Sequence, residues 1–180
     1  MPTIWYNHGY SSVRDALNLI RDGAGAAGVT GLRLIASHRD GQAQALAAAD
    51  LAIVEPRFDR ASDAGRADFV AWCLEICRTH RVDLFVPQNG RALIAAHAAE
   101  FAAQGTRVAV PQSAEMLALI EDKWQFYGAA LDAGLPMPWT REVGDAAGFD
   151  AALAELAGLG LAPCVKPPEG VFGAGFWRLD

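Results

Sequence analysis

Residues 82–111 read VDLFVPQNGRALIAAHAAEFAAQGTRVAVP, and this stretch decides the fold. Val82–Val86 is a short, nearly continuous apolar run, the pattern of a strand covered on both faces. Arg91–Gln104 is Ala-rich with helical spacing, and Arg107–Val110 is a second apolar run closed by Pro111. Strand, helix and strand joined by short connections make a parallel crossover unit, since antiparallel neighbours need only a tight turn.

Outward from this unit the same alternation repeats. Thr3–Asn7, Leu32–Ser37 and Leu51–Glu55 read as three earlier strands, the last stopped by Pro56. After Ser11 or Ser12, Val13, Ala16, Leu17 and Ile20 form one helical face. Gly41–Ala49 reads as a short helix, and Ala64–His80 as a long one with Phe69, Trp72, Cys73, Ile76 and Cys77 along one stripe. The expected class is α/β, with a doubly wound, mostly parallel sheet over residues 1–112. Ligands in such sheets sit beyond the carboxyl ends of the strands, which marks His8–Ser12, Ser37–Gly41, Pro56–Phe58 and Gln88–Arg91.

A domain boundary is expected near Gln112, with residues 113–180 forming a partial second α+β subdomain. There Ser113 begins a helix carrying Met116, Leu117 and Ile120, and Asp122-Lys123 opens another that Gly134 ends. Pro138–Val143 reads as extended and Phe149–Leu159 as helical. Pro163–Pro167 and Phe176–Leu179 read as the two strands of a hairpin around the loop Glu169–Gly175.

Composition narrows the function classes. With 52% hydrophobic and 20% charged residues, the 180-residue chain is that of a folded protein, not a disordered one. Fifteen Lys+Arg against 21 Asp+Glu give a net charge of −6, which argues against nucleic-acid and anionic-membrane partners. Three cysteines fit a reducing compartment better than a disulfide scaffold. Neither a basic leader nor an apolar run of about 18 residues is visible, so the expected location is cytoplasmic.

Two motifs give way to plainer readings. Gly23-Ala24-Gly25-Ala26-Ala27-Gly28 spells G-x-G-x-x-G, but it follows a helix and precedes a strand, the wrong end of the unit for a pyrophosphate. It reads as a flexible loop, and an NAD-dependent oxidoreductase is disfavoured with it. Cys73, Cys77 and His80 have a metal-like spacing, yet the cysteines share the apolar stripe and no fourth donor is near. His80 sits at a helix end, where a partly cationic ring is favourable. Cys164 lies in an apolar strand and reads as core.

The last third carries the chemistry. Lys166-Pro167-Pro168-Glu169-Gly170-Val171-Phe172-Gly173-Ala174-Gly175 sets a lysine at a strand end before a loop with three glycines. A fixed cation and closely approaching backbone N–H groups are what a phosphate needs, although a plain glycine hairpin explains the same residues. In chain order come Asp122-Lys123, then Gly134-Leu135-Pro136-Met137-Pro138, then Lys166-Pro167-Pro168-Glu169-Gly170. With the preceding α/β lobe, this order resembles the ATP-grasp superfamily: its N-terminal lobe and the start of its ATP-binding lobe.

The resemblance implies an ATP-dependent carboxylate–amine ligase that activates a small carboxylate as an acyl phosphate. Lys123 and Lys166 would then touch ATP phosphates, and Gly170, Gly173 and Gly175 would shape a covering loop. Val171 and Phe172 depart from the denser glycine or serine run of many relatives. The hinge strand that holds adenine and the Mg²⁺-binding Glu and Asn residues would follow Asp180. The chain as given is therefore expected to be a fragment or one piece of a larger assembly, inactive alone and without metal ligands of its own. Phe172, Phe176 and Trp177 in a terminal hairpin would leave residues beyond about Pro163 mobile, or buried in a homo-dimer. The substrate candidates are His8, Asn89 and Arg91, whose plainer reading is a helix-capping Asn89 beside a solvated Arg91. The alternative function is a non-catalytic Rossmann-like binding or assembly module.

Overall fold

The computed structural model describes residues 1–8, 11–168 and 175–179. Contacts divide the chain into two units, Met1–Ala114 and Glu115–Asp180.

In the first unit the strands are β1 (Thr3–Asn7), β2 (Arg33–His38), β3 (Leu51–Val54), β4 (Leu84–Pro87) and β5 (Arg107–Val108). All neighbours pair in parallel, in the order β3-β2-β1-β4-β5. The chain grows outward from β1 in one direction and then, from β4, in the other, which is the doubly wound arrangement. Between the strands run α1 (Ser11–Ala26), a 3₁₀ turn at Gln44–Ala48, α2 (Asp63–His80), α3 (Arg91–Ala96) and α4 (Ala98–Ala103).

Alternation of side chains along each strand builds two cores, one on each face of the sheet. Trp5, Ile35 and Phe85 face Phe69, Cys73, Cys77, Ile94 and Phe101 from the helices. Leu34 and Ala36 face Val13, Leu17, Ala45 and Leu46. Trp5 and Phe85 are partners in register on β1 and β4, and their rings stack at 4.2 Å. Burying aromatic area of this size contributes several kcal/mol, on the order of 1.5–3 kcal/mol for each large side chain.

Several expectations are corrected. Residues 91–104 form two helices broken at His97, because Ile94 and Phe101 reach the core from either side and a seven-residue spacing does not register the break. The segment 41–49 forms only a 3₁₀ turn, and β5 ends at Val108. The helix α1 runs through Gly23 and Gly25, which were expected in a loop. It ends in a Schellman motif: the Val29 N–H reaches the Ala24 carbonyl, the Gly28 N–H reaches that of Gly25, and Gly28 has φ +70°.

The second unit holds all but the first residue of α5 (Ala114–Glu121), with α6 (Lys123–Asp132), α7 (Ala146–Gly158) and an antiparallel pair, β6 (Cys164–Val165) with β7 (Trp177–Arg178). Asp145 caps α7 through the Gly148 N–H. Residues 138–143 form no strand; instead Trp139 and Arg141 each donate a hydrogen bond to the Glu155 carboxylate on α7. Cys164, expected in the core, is exposed, as are Phe176 and Trp177. The reason is local: a two-stranded ribbon buries at most one of its faces, and Cys164 stands on the other. No helix among the described residues is long and apolar enough to cross a membrane.

Candidate functional site

In the second unit Lys123 meets the short stretch of backbone that follows Lys166. Asp122 caps α6, its carboxylate accepting from the N–H groups of Trp124 and Gln125, and the Gln125 amide foremost holds it below the ordinary carboxylate range. That cap fixes the first helical residue, Lys123. Its backbone N–H donates to the Pro168 carbonyl at 2.9 Å, and its Nζ donates to the carbonyls of Pro168 at 3.2 Å and Pro167 at 3.4 Å. Lys123 thus lies against the Lys166-Pro167-Pro168 segment, although 43 positions separate the two lysines (166 − 123).

Lys166, exposed at the end of β6, has its ammonium 5.5 Å from the centre of the Phe176 ring, which positions it by cation–π attraction. Gly175, at φ +74°, returns the chain so closely that a Cβ there would stand 3.1 Å from the Pro167 ring. No L side chain suits that position. Lys123, Lys166 and Gly175 are therefore gathered around Pro167 and Pro168. Gly170 and Gly173, with Val171 and Phe172, lie outside the described residues.

The other three candidates belong to the first unit, at the carboxyl ends of its strands. Asn7, fully buried at the end of β1, accepts from the N–H groups of Gln88 and Asn89 at 2.7 and 3.3 Å and donates to the Asn89 carbonyl at 3.1 Å. This clamps the loop after β4 where the strand order reverses. Asn89 does not cap the helix that follows; Gly90, at φ +70°, is the capping residue and Arg91 opens α3, half-buried. A Cβ on Gly90 would lie 2.8 Å from Phe69 and 3.0 Å from Arg60, so the close approach excludes any side chain.

His8 follows Asn7 with φ +47°, a left-handed conformation that costs a non-glycine residue about 1–2 kcal/mol. Its N–H donates to Oε1 of Glu55, and its Nδ1 lies 3.3 Å from Oε2. Glu55 is buried. Burial alone would push its carboxyl up, but hydrogen bonds from the His8 ring, the Ser37 hydroxyl and the His8 amide together hold it below its ordinary value. Ser37 accepts from the Trp5 indole at 2.9 Å and donates to Glu55 at 2.8 Å, and the His8 ring stacks on His38 at 4.5 Å.

Sequence reasoning placed these loops on the functional edge but missed Ser37 and Glu55 as partners of His8. The available signal was a polar residue closing each of two buried apolar runs, LRLIAS and LAIVE.

The thiols of Cys73 and Cys77 are buried, and burial pushes both up, Cys77 to about 12, as for inert core cysteines. His80 is not the favoured cation its helix-end position suggested: burial, then the charge of Arg33, hold its ring below the ordinary value. Among the described residues no group of three or more His, Cys, Asp or Glu could hold a metal ion.

No protein-family model matches the chain, and no curated protein matches it significantly by sequence. Solved structures do. The chain is similar to N5-carboxyaminoimidazole ribonucleotide synthetase from Thermotoga maritima, at 17% identity and TM-score 0.52, over 99% of this chain and 41% of that one. Biotin carboxylase from Campylobacter jejuni, solved as a β,γ-ATP complex, matches at 20% identity and TM-score 0.57, over 97% of this chain and 37% of that one. The biotin carboxylase domain of 2-oxoglutarate carboxylase from Hydrogenobacter thermophilus matches at 16% identity and TM-score 0.57, over 97% and 37%; it was solved as a dimer with MgADP, ADP and bicarbonate. The chain spans under half the length of each of these structures. At such identities the likeness is one of architecture: this α/β chain is similar in fold to part of these biotin carboxylase and N5-carboxyaminoimidazole ribonucleotide synthetase structures, which are ATP-grasp enzymes.

Proposed function

We propose that the chain is the amino-terminal part of an ATP-dependent carboxylate–amine ligase, in which Lys123 and Lys166 hold ATP phosphates beside Gly175. The observation that carries this reading is the meeting of Lys123 with the Lys166-Pro167-Pro168 segment through both its backbone and its ammonium group. Lys123 and the segment that carries Lys166 come from separate elements, and a lysine on each is what an anion such as a polyphosphate would need.

On this reading ATP supplies the phosphoryl group that turns a carboxylate into an acyl phosphate, and an amine then displaces phosphate. The two ammonium groups orient the nucleotide and offset its charge. The solved relatives with bound nucleotide support the choice of ATP, and the one containing MgADP supports magnesium in that protein.

The test is ADP formation from ATP in mixtures of small carboxylic acids with hydroxylamine as trap, using the longest translated polypeptide that contains this sequence. Carboxylate-dependent ADP and hydroxamate are expected, and Lys166→Ala abolishes both. ADP formation indifferent to every carboxylate, or to Lys166→Ala, overturns the reading.

A further inference from the structure

Phe176 is 46% exposed, and the register of the β6–β7 ribbon explains where its ring stands. Cys164 pairs with Arg178, and Val165 with Trp177. At the open end the Leu179 N–H donates to the Pro163 carbonyl at 3.1 Å, continuing the same alignment. One step the other way sets Phe176 opposite Lys166. The step after that sets Gly175 opposite Pro167, where a Cβ would stand 3.1 Å from the proline ring. Hydrogen bonding and close packing therefore agree on one register.

Antiparallel pairs alternate between hydrogen-bonded and non-hydrogen-bonded, and the Leu179 bond sets the phase. Lys166 and Phe176 fall at a non-hydrogen-bonded position, the kind at which facing side chains come closer. They share one face of the ribbon, with the ammonium over the ring, 5.5 Å from its centre. A slip of one residue would send Phe176 to the opposite face and bring a residue with a side chain against Pro167. Gly175 thus keeps the ring beneath the lysine.

The type of partner matters. A carboxylate in this place would hold the ammonium but neutralise it and occupy its N–H donors. An aromatic face attracts a cation without carrying a net charge or a lone pair, so it leaves that charge to an anion. A lysine on a flexible stem also gives up rotamer freedom when it grips a ligand, and a ring that has already narrowed its rotamers reduces that loss.

We propose that Phe176 is a positioning residue for nucleotide binding, which strengthens the hold on ATP phosphate through Lys166 and not by touching the nucleotide. This rests on the ligase reading, which gives Lys166 to a phosphate.

The test measures equilibrium binding of ATP and of adenosine to the longest translated polypeptide that contains this sequence. Phe176→Leu keeps an apolar side chain on the ribbon and loses the ring. It is expected to weaken ATP about two- to fivefold, the worth of an exposed cation–π contact, and to leave adenosine unchanged. Phe176→Tyr, which restores a ring, is expected to bind as wild type does. In a Lys166→Ala background Phe176→Leu is expected to change nothing, since no ammonium is left to place. A loss of the same size in both backgrounds, or an equal loss for adenosine, overturns the proposal: the ring would then contact the nucleotide or only support the ribbon.

A second measurement needs no nucleotide. With lysine labelled by ¹³C at Cε, the Lys166 signal is identified by its absence from Lys166→Ala. Its methylene protons are expected to lie upfield, shielded by the ring, in wild type and Phe176→Tyr, and to lose that shift in Phe176→Leu. Wild-type protons without the shift overturn the proposal. If Lys166→Ala weakens ATP and Phe176→Leu does not, the positioning fails and the ligase reading stands. If Lys166→Ala leaves ATP binding unchanged, the reading's use of Lys166 fails and takes the proposal with it.

Discussion

Replacing Asn7 with Ala removes the clamp at the strand-order reversal, and the structure sets the size of the effect. Three hydrogen bonds vanish, two accepted by Oδ1 from Gln88 and Asn89 and one donated by Nδ2 to the Asn89 carbonyl. Each is worth about 1 ± 0.5 kcal/mol net when its partner is left wanting. Gln88 and Asn89 are half-buried, so water recovers part of the loss. The expected destabilisation is about 2–3 kcal/mol. With a slope of roughly 1–3 kcal/mol per molar urea, the midpoint falls by about 0.7–3 M. Urea unfolding followed by fluorescence of the buried Trp5 measures this, with faster amide exchange at Gln88 and Asn89 as the local check. Asn7→Asp sharpens the test, because it keeps the acceptor and loses the donor while burying a charge. Burial raises the native carboxyl above its unfolded value, so this variant regains stability as pH falls through the native value and is weakest at neutral pH. A loss under about 0.5 kcal/mol for Asn7→Ala would refute the clamp, as would an Asn7→Asp variant that shows no recovery in acid.

Glu55 gives the opposite pH dependence. Its native carboxyl lies below the ordinary value of 4.5, so its stabilisation is full above that value and fades as pH falls through the native one. Acid titration of stability should show this loss in wild type and a flatter curve in Glu55→Gln. Gly23→Ala and Gly25→Ala, inside α1 with open space around each Cβ, should each stabilise by roughly 0.5–1 kcal/mol in thermal melts. Gly28→Ala should destabilise by about 1–2 kcal/mol, since its φ of +70° strains any L residue even in open space. Gly65→Ala should cost more than about 2 kcal/mol, because its Cβ would stand 2.0 Å from the Asp59 carbonyl oxygen; a melt within 1 °C of wild type would contradict that packing.

The parallel sheet was legible because its strands are buried on both faces, so runs such as LRLIA and DLFVP announce themselves without any turn signal. Asp122 and Lys123 were legible for a similar reason: a capping carboxylate before a helical run is a local signal. Contacts between distant segments were not. The approach of Lys123 to Pro168, and the convergence of Ser37 and Glu55 on His8, depend on tertiary placement that no spacing records. The glycines of residues 23–28 misled because composition marks them as loop, while α1 absorbs two of them and uses the third as its left-handed stop. Cys164 misled because apolar neighbours in a two-stranded ribbon do not guarantee a covering layer.

The most direct test of the central claim compares ATP with adenosine in equilibrium binding to the longest translated polypeptide that contains this sequence and to its Lys123→Ala and Lys166→Ala variants. If the two ammonium groups hold the phosphates, each substitution weakens ATP by about tenfold or more, the worth of one charge-assisted contact, and leaves adenosine unchanged. ATP binding that survives both substitutions, or that falls in step with adenosine, would contradict it.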